Sequence, residues 1–280
     1  MEIAKVGIAG FGTMGSEIAL VAAAADCEVN VYEIVPEVIE HNLRRLPKVL
    51  RMMKRESSEE ERTKVMARIE ASSDPSSLAD CDLVIEAVLE KLELKKDLLS
   101  QLGKEVKEDA ILATNTSSFG VTQLASASGR PDRFLGLHFF NPPSQMQLVE
   151  VVPGLLTSEA TRDTAIAFVE KLGKKPVVVK ETPGFVVNRV LVAMAVEAMS
   201  LVEHGIATVK EVDDALRLGA GWPLGPFKLV DLVGLDVFLH ACESIYSETG
   251  DSKFHPPLML KRYVSAGLLG RKTRRGFYQY

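Results

Sequence analysis

The chain has 280 residues, with 33 Lys and Arg against 38 Asp and Glu, a formal net charge of −5. At 46% hydrophobic and 25% charged it can bury a full core, which excludes intrinsic disorder, and its acidic balance argues against a nucleic-acid-binding surface. Cys27, Cys81 and Cys242 are far apart and show no CxxC or metal spacing, so neither a disulfide framework nor a metal site is expected, and a reduced, cytoplasmic setting fits.

From the N-terminus, short β-branched runs at 3–9, 28–32, 83–87, 110–113, 134–140, 147–152 and 177–180 predict strands. Helical patterns fall between most of them, at 14–25, 37–50, 59–69, 91–102 and 158–172. This alternation predicts an α/β fold with a doubly wound, mostly parallel sheet. The longest apolar runs, 18–25 and 190–196, fall well below the roughly 18–20 residues of a membrane span, and no leader segment is expected. After Pro183-Gly184 the strands stop, and 185–204, 209–218, 226–248 and 257–266 read as helices. The predicted organisation is a Rossmann-like domain over 1–183, with a helical pair near 37–70, and an all-helical domain over 184–280. The helix at 185–204 is apolar on more than one side, which calls for burial by a central core or by a second subunit.

The first strand runs into Gly10-Phe11-Gly12-Thr13-Met14-Gly15, then a small-residue helix, a second strand and Glu33, 18 residues past the last glycine. In that setting the glycines predict a dinucleotide loop. Gly10 makes the turn, Gly12 lets a pyrophosphate approach the backbone, and Gly15 lets helix pack on strand. A carboxylate at the position of Glu33 accepts hydrogen bonds from the ribose hydroxyls and repels a 2′-phosphate. The expected cofactor is therefore NAD rather than NADP.

Residues 41–55 carry Arg44, Arg45, Lys48, Arg51, Lys54 and Arg55 and no acid. Arg44, Lys48, Arg51 and Arg55 share one helical face, and Leu43, Leu46, Leu50 and Met53 form an apolar docking face. Pro47 is expected to kink or restart this helix. The basic face suits a phosphate-bearing ligand. The alternative is a solvated helix balanced by Glu56, Glu59, Glu60 and Glu61.

His138 and Glu150 are single ionisable residues in two apolar strands. A buried carboxylate without a partner is costly, so the economical arrangement has the two facing each other. Glu150 would then hold one imidazole nitrogen and leave the other as a base, as oxidation of an alcohol requires. A core histidine bonded to a backbone carbonyl is the alternative. Thr114-Asn115-Thr116-Ser117-Ser118 follows a strand end, where ligands of doubly wound sheets bind; Ser117 or Ser118 also suits a helix N-cap. Asn188 is the neutral amide among Phe185, Val186, Val187, Val190 and Leu191, set to meet a substrate oxygen or to bond another helix.

With these motifs in hand, the chain resembles the 3-hydroxyacyl-CoA dehydrogenase family, in its short stand-alone 3-hydroxybutyryl-CoA form, over essentially its whole length. The resemblance rests on VGIAGFGTMG at 6–15, DLVIEAVLEKLELKKDL at 82–98, TNTSS at 114–118, GLHFFNPPSQMQLVEVV at 136–152, ETPGFVVNRV at 181–190, GAGWPLGPF at 219–227 and RKTRRGFYQY at 271–280. It implies NAD-dependent oxidation of (S)-3-hydroxyacyl-CoA in fatty acid metabolism. It also implies His138 as general base, Glu150 as its partner, and Ser117 and Asn188 on substrate oxygens. Asn115 and Asn141 would line the nicotinamide and substrate site, Glu90, Lys95 and Lys272 would contact cofactor, and the helical domain would form a homodimer. Arg44, Lys48 and Arg51 become the candidates for coenzyme A. Arg274-Arg275 depart from the family's frequent Gly. A relative acting on a decorated or non-CoA hydroxy acid, and a non-catalytic crystallin-like NAD-binding protein, are the alternative readings.

Overall fold

Residues 2–53 and 57–280 are described by the computed structural model. They form two compact units, Met1–Glu181 and Thr182–Tyr280.

The first unit runs β1 (Lys5–Ala9), α1 (Thr13–Ala24), β2 (Glu28–Tyr32), α2 (Pro36–Met53), α3 (Glu59–Ala67), β3 (Ile69–Ser72), β4 (Leu83–Glu86), α4 (Leu92–Glu105), β5 (Ile111–Thr114), α5 (Val121–Ser128), β6 (Phe134–Phe139), β7 (Leu148–Pro153), α6 (Glu159–Lys171) and β8 (Lys175–Val178). Its sheet has the order β3-β2-β1-β4-β5-β6-β7-β8. All neighbours from β3 to β6 are parallel, β6 and β7 are antiparallel, and β7 and β8 are parallel. β4, β5 and β6 are buried along their whole length, which is why they read as unbroken apolar runs rather than alternating ones. The strand order reverses between β1 and β4, so a crevice opens beyond their carboxyl ends. The loops after β1, β4, β5 and β6 all leave from that side.

Two local outcomes in this unit differ from the sequence reading. Ile69–Ser72 is a strand pairing with β2, so α3 stops at Ala67, closed at its start by a capping box between Ser58 and Glu61. α2 runs through Pro47 without a break. Leu46 and Leu50, fully buried on either side of Pro47, hold the turn whose hydrogen bond the proline forgoes. The basic segment's Lys54 and Arg55, with Glu56, lie outside the described residues.

The second unit contains α7 (Val187–Glu203), α8 (Val209–Gly219), α9 (Pro226–Val233), α10 (Leu235–Thr249) and α11 (Leu258–Ser265). The expected single helix over 226–248 is two, because Gly234 adopts φ +106 between them. Val192, Met199, Phe227, Phe238, Cys242 and Leu260 are among its core residues. Two buried aspartates pin the C-terminal tail. Asp231 accepts from the amides of Phe277 and Tyr278 and from the Tyr280 hydroxyl, and Asp213 accepts from the Tyr278 hydroxyl and the Phe227 and Lys228 amides. No helix of the described residues is long and apolar enough to cross a membrane.

Candidate active site

The glycine-rich loop leaves the end of β1 at Gly10, whose φ of +98 suits glycine alone; a Cβ there would lie 2.8 Å from the Ala87 carbonyl oxygen. At Gly15 a Cβ would lie 1.9 Å from the Gly10 carbonyl oxygen, so α1 sits directly on the turn. Gly12, the N-cap of α1, instead faces open space and has no side-chain cap. Glu33, at the end of β2, accepts the Phe11 amide at 2.9 Å through Oε2 and the Val35 amide at 3.1 Å through Oε1. Each carboxylate oxygen has a second lone pair, so Glu33 holds the loop and still has acceptor capacity for ribose hydroxyls. Exposed Gly12 and Thr13, an uncapped helix start and Glu33 together fit the diphosphate and ribose of a dinucleotide.

Beyond β4 and β5 lies a network that the sequence reading had only in part. Glu86 is fully buried: Oε1 accepts from the Lys95 ammonium at 2.7 Å and the Val88 amide at 2.8 Å, and Oε2 accepts from the Thr114 hydroxyl at 2.7 Å. Lys95, 1% exposed, also pairs with Glu90 at 3.0 Å. Glu90 in turn accepts from the Thr116 hydroxyl and from the amides of Ser117 and Ser118, at 3.1 and 3.2 Å. Glu90 and Lys95, the expected cofactor contacts, thus also brace the Thr114–Ser118 loop, and the Lys95 ammonium is buried. The Asn115 side-chain oxygen accepts the Phe139 amide at 2.9 Å, which ties this loop to the end of β6.

His138 and Glu150 are direct partners across the antiparallel β6–β7 pair, 6% and 1% exposed. Nδ1 lies 2.7 Å from Glu150 Oε2, and the Phe140 ring meets the imidazole edge-on at 4.6 Å. A neighbouring-strand position on the same face delivers the contact that burial alone predicted.

The other expected site residues fall on several elements of the two units. Ser117 and Asn141, partly buried and exposed, stand on the loops after β5 and β6. Arg44, Lys48 and Arg51 are exposed on α2, while Leu43, Leu46, Leu50 and Met53 pack inward. Arg44 pairs with Glu40 at 2.9 Å; Arg45 turns inward to Glu17. In the second unit, Asn188 is half-buried in the first turn of α7, and the Lys272 ammonium pairs with Asp236 at 2.6 Å. The departure at Arg274 is a left-handed residue, φ +58, where glycine is unstrained. The sequence reading passed over Glu17, Glu86 and Lys174, all buried. Each is a charge within or beside an apolar run, the same signal that singled out Glu150. Among the described residues no group of three or more His, Cys, Asp or Glu could hold a metal ion.

Comparison with known proteins completes the site's setting. The model of the 3-hydroxyacyl-CoA dehydrogenase NAD binding domain matches residues 5–182, and that of the 3-hydroxyacyl-CoA dehydrogenase C-terminal domain matches 184–280. A 3-hydroxybutyryl-CoA dehydrogenase of Bradyrhizobium diazoefficiens is 42% identical over 99% of this chain and 96% of its own length. One of Clostridioides difficile is 42% identical over 99% of each. The crystal structure of (S)-3-hydroxybutyryl-CoA dehydrogenase from Ralstonia eutropha superposes with a TM-score of 0.96 at 40% identity, covering 100% of this chain and 99% of that one.

Proposed function

The chain belongs to the 3-hydroxyacyl-CoA dehydrogenase family of NAD-dependent oxidoreductases, and on that premise we propose that it interconverts (S)-3-hydroxybutyryl-CoA and acetoacetyl-CoA with His138 as acid and base. The observation that carries the reading is the buried His138–Glu150 pair at the carboxyl end of β6, beside the loop of Ser117. An ionised Glu150 only accepts, so Nδ1 carries the proton it is given and Nε2 is the basic nitrogen. Nε2 takes the proton of the 3-hydroxyl, and Glu150 stabilises the imidazolium that results. In reduction His138 returns the proton to the 3-keto oxygen. Bound NAD supplies the nicotinamide that exchanges hydride with C3. Gly10–Gly15 and Glu33 hold the cofactor.

The Ser117 hydroxyl binds the C3 oxygen or the thioester carbonyl, with Asn115 and Asn141 lining the same loops. Glu90 and Lys95 act on cofactor and substrate through the Thr114–Ser118 loop. The assignments of Asn188 and Lys272 rest on the family resemblance. Arg44, Lys48 and Arg51 meet the phosphates of coenzyme A, since a protein of net charge −5 needs a local basic face to attract them. The second unit forms a homodimer, supported by the exposure of Val186 and Val190 near the start of α7 and of Leu232 and Val237 on α9 and α10. A cytoplasmic setting agrees with the free, buried Cys27, Cys81 and Cys242.

The test is NADH oxidation with acetoacetyl-CoA, beside longer 3-ketoacyl-CoA substrates. Turnover of acetoacetyl-CoA at least as efficient as of the longer chains supports the reading. Activity confined to other substrates rejects it.

A further inference from the structure

Glu17 is a buried carboxylate, 4% exposed, for which the reaction above has no use. It sits on α1 two residues past the last glycine of the nucleotide loop. Its two oxygens serve different parts of the unit. Oε1 accepts from the Arg45 guanidinium on α2 at 2.8 Å. Oε2 accepts from the Ser144 hydroxyl at 2.7 Å and the Ser144 amide at 3.3 Å. Arg45 also donates to the Ser16 hydroxyl at 2.9 Å and to the Asn42 side-chain oxygen at 3.2 Å, and Asn42 donates to the Phe11 carbonyl at 2.8 Å. One continuous chain of hydrogen bonds thus joins the glycine-rich loop to Ser144.

Ser144 lies in the segment between β6 and β7, which begins just past His138 and carries Asn141. The same segment is held from its other side by Lys174, 9% exposed, which donates to the carbonyls of Pro143 at 2.7 Å and Met146 at 2.6 Å. Two buried charges clamp one short connection. Each is costly to bury unless fully bonded, and closing two antiparallel strands requires neither.

We propose that Glu17 is a positioning residue for the reaction: through Ser144 it fixes the Asn141–Met146 segment to the nucleotide loop, so that substrate and cofactor meet at His138 in register. The proposal rests on the dehydrogenase reading. It also separates Arg45 from its neighbours: Arg45 belongs to this framework, and Arg44, Lys48 and Arg51 to the outer face.

The experiment compares Ser144→Ala, Ser144→Thr, Glu17→Gln and the Glu17→Gln/Ser144→Ala pair with wild type, using acetoacetyl-CoA and NADH, with a melting curve for each. Misplacement of a reacting group lowers rate more than binding, so Ser144→Ala is expected to reduce kcat about 10-fold and to change KM for NADH by less than about two-fold. Ser144→Thr restores the hydroxyl and recovers most of kcat. The double variant falls no further than the worse single one, because both break the same link. Ser144→Ala alters only one hydroxyl in a surface segment, so it decides the matter even if Glu17→Gln folds poorly. Unchanged kcat in Ser144→Ala, with any effect confined to melting, overturns the proposal. So do multiplicative losses in the pair. A wild type that turns over none of the 3-ketoacyl-CoA substrates overturns the dehydrogenase reading itself and this inference with it; one active only on a longer chain overturns the proposed substrate alone, and the variants are then compared on that chain.

Discussion

His138 and Glu150 stand directly opposite each other on β6 and β7, the antiparallel pair in a sheet otherwise built of parallel neighbours, with Nδ1 and Oε2 2.7 Å apart. The register makes the contact: a slip of one residue would put the two side chains on opposite faces. The carboxylate is buried to 1% exposure, so little water competes for the imidazole proton.

Glu150→Gln keeps the shape and removes the charge. Without it the imidazolium loses its stabilising partner, and kcat should fall by about 10²–10⁴-fold, the usual range for acid–base groups. KM for NADH should change little. A fall in NADH affinity with kcat retained would move Glu150 from proton chemistry to cofactor binding.

Glu33 should make NADH the better cofactor, because its carboxylate would be forced against the 2′-phosphate of NADPH. A comparison of kcat/KM for the two cofactors decides it, and a preference for NADPH contradicts the assignment. Glu33 also holds the Phe11 amide. Glu33→Ala should therefore weaken NADH binding and lower the melting temperature together, rather than simply switch preference.

The outer face of α2 should show itself through charge reversal. Arg44→Glu, Lys48→Glu and Arg51→Glu should raise KM for acetoacetyl-CoA in a salt-dependent way and leave a truncated pantetheine thioester almost unaffected. Equal effects on both substrates, or none on either, would return these residues to the solvent.

The C-terminal tail should make stability fall at high pH. Burial pushes the Tyr278 phenol above its ordinary 10.0, and its hydrogen bond to Asp213 adds to this. Burial, with Asp231, does the same at Tyr280. Above the ordinary value the unfolded chain gives up protons that the folded one keeps. The contribution is therefore complete below 10.0 and is lost as pH rises through the raised values. Urea unfolding from about pH 9 to 11.5 should show this decline, and Tyr278→Phe should be less stable at neutral pH yet flatter across the range. An unchanged slope would show that other groups govern alkaline unfolding.

Much of this was legible in the chain because the physics is local. Gly10–Gly15 between a strand and an Ala-rich helix announces its own turn, and lone charges at His138 and Glu150 in apolar strands demand partners. What was missed depends on distant context. Ile69–Ser72 is a four-residue edge strand with Glu70 inside it, and only pairing with β2 distinguishes it from the end of a helix. The sequence reading ran one helix over 226–248 through Gly234; a Cβ there would lie 3.1 Å from Asp236 Oδ1 and 3.3 Å from the Lys272 ammonium, neighbours the sequence does not reveal. Lys95 stood in the sequence only as a cofactor contact implied by the family resemblance. Its burial against Glu86 follows from how α4 lies on the sheet.

The most direct test of the account is the His138→Gln variant, assayed with acetoacetyl-CoA and NADH while NADH binding is followed separately by fluorescence. The imidazole acts on the proton and not on the cofactor, so kcat should fall by about 10²–10⁴-fold with NADH affinity near that of wild type. A variant that keeps near-wild-type kcat would contradict the assignment of His138 as the acid and base.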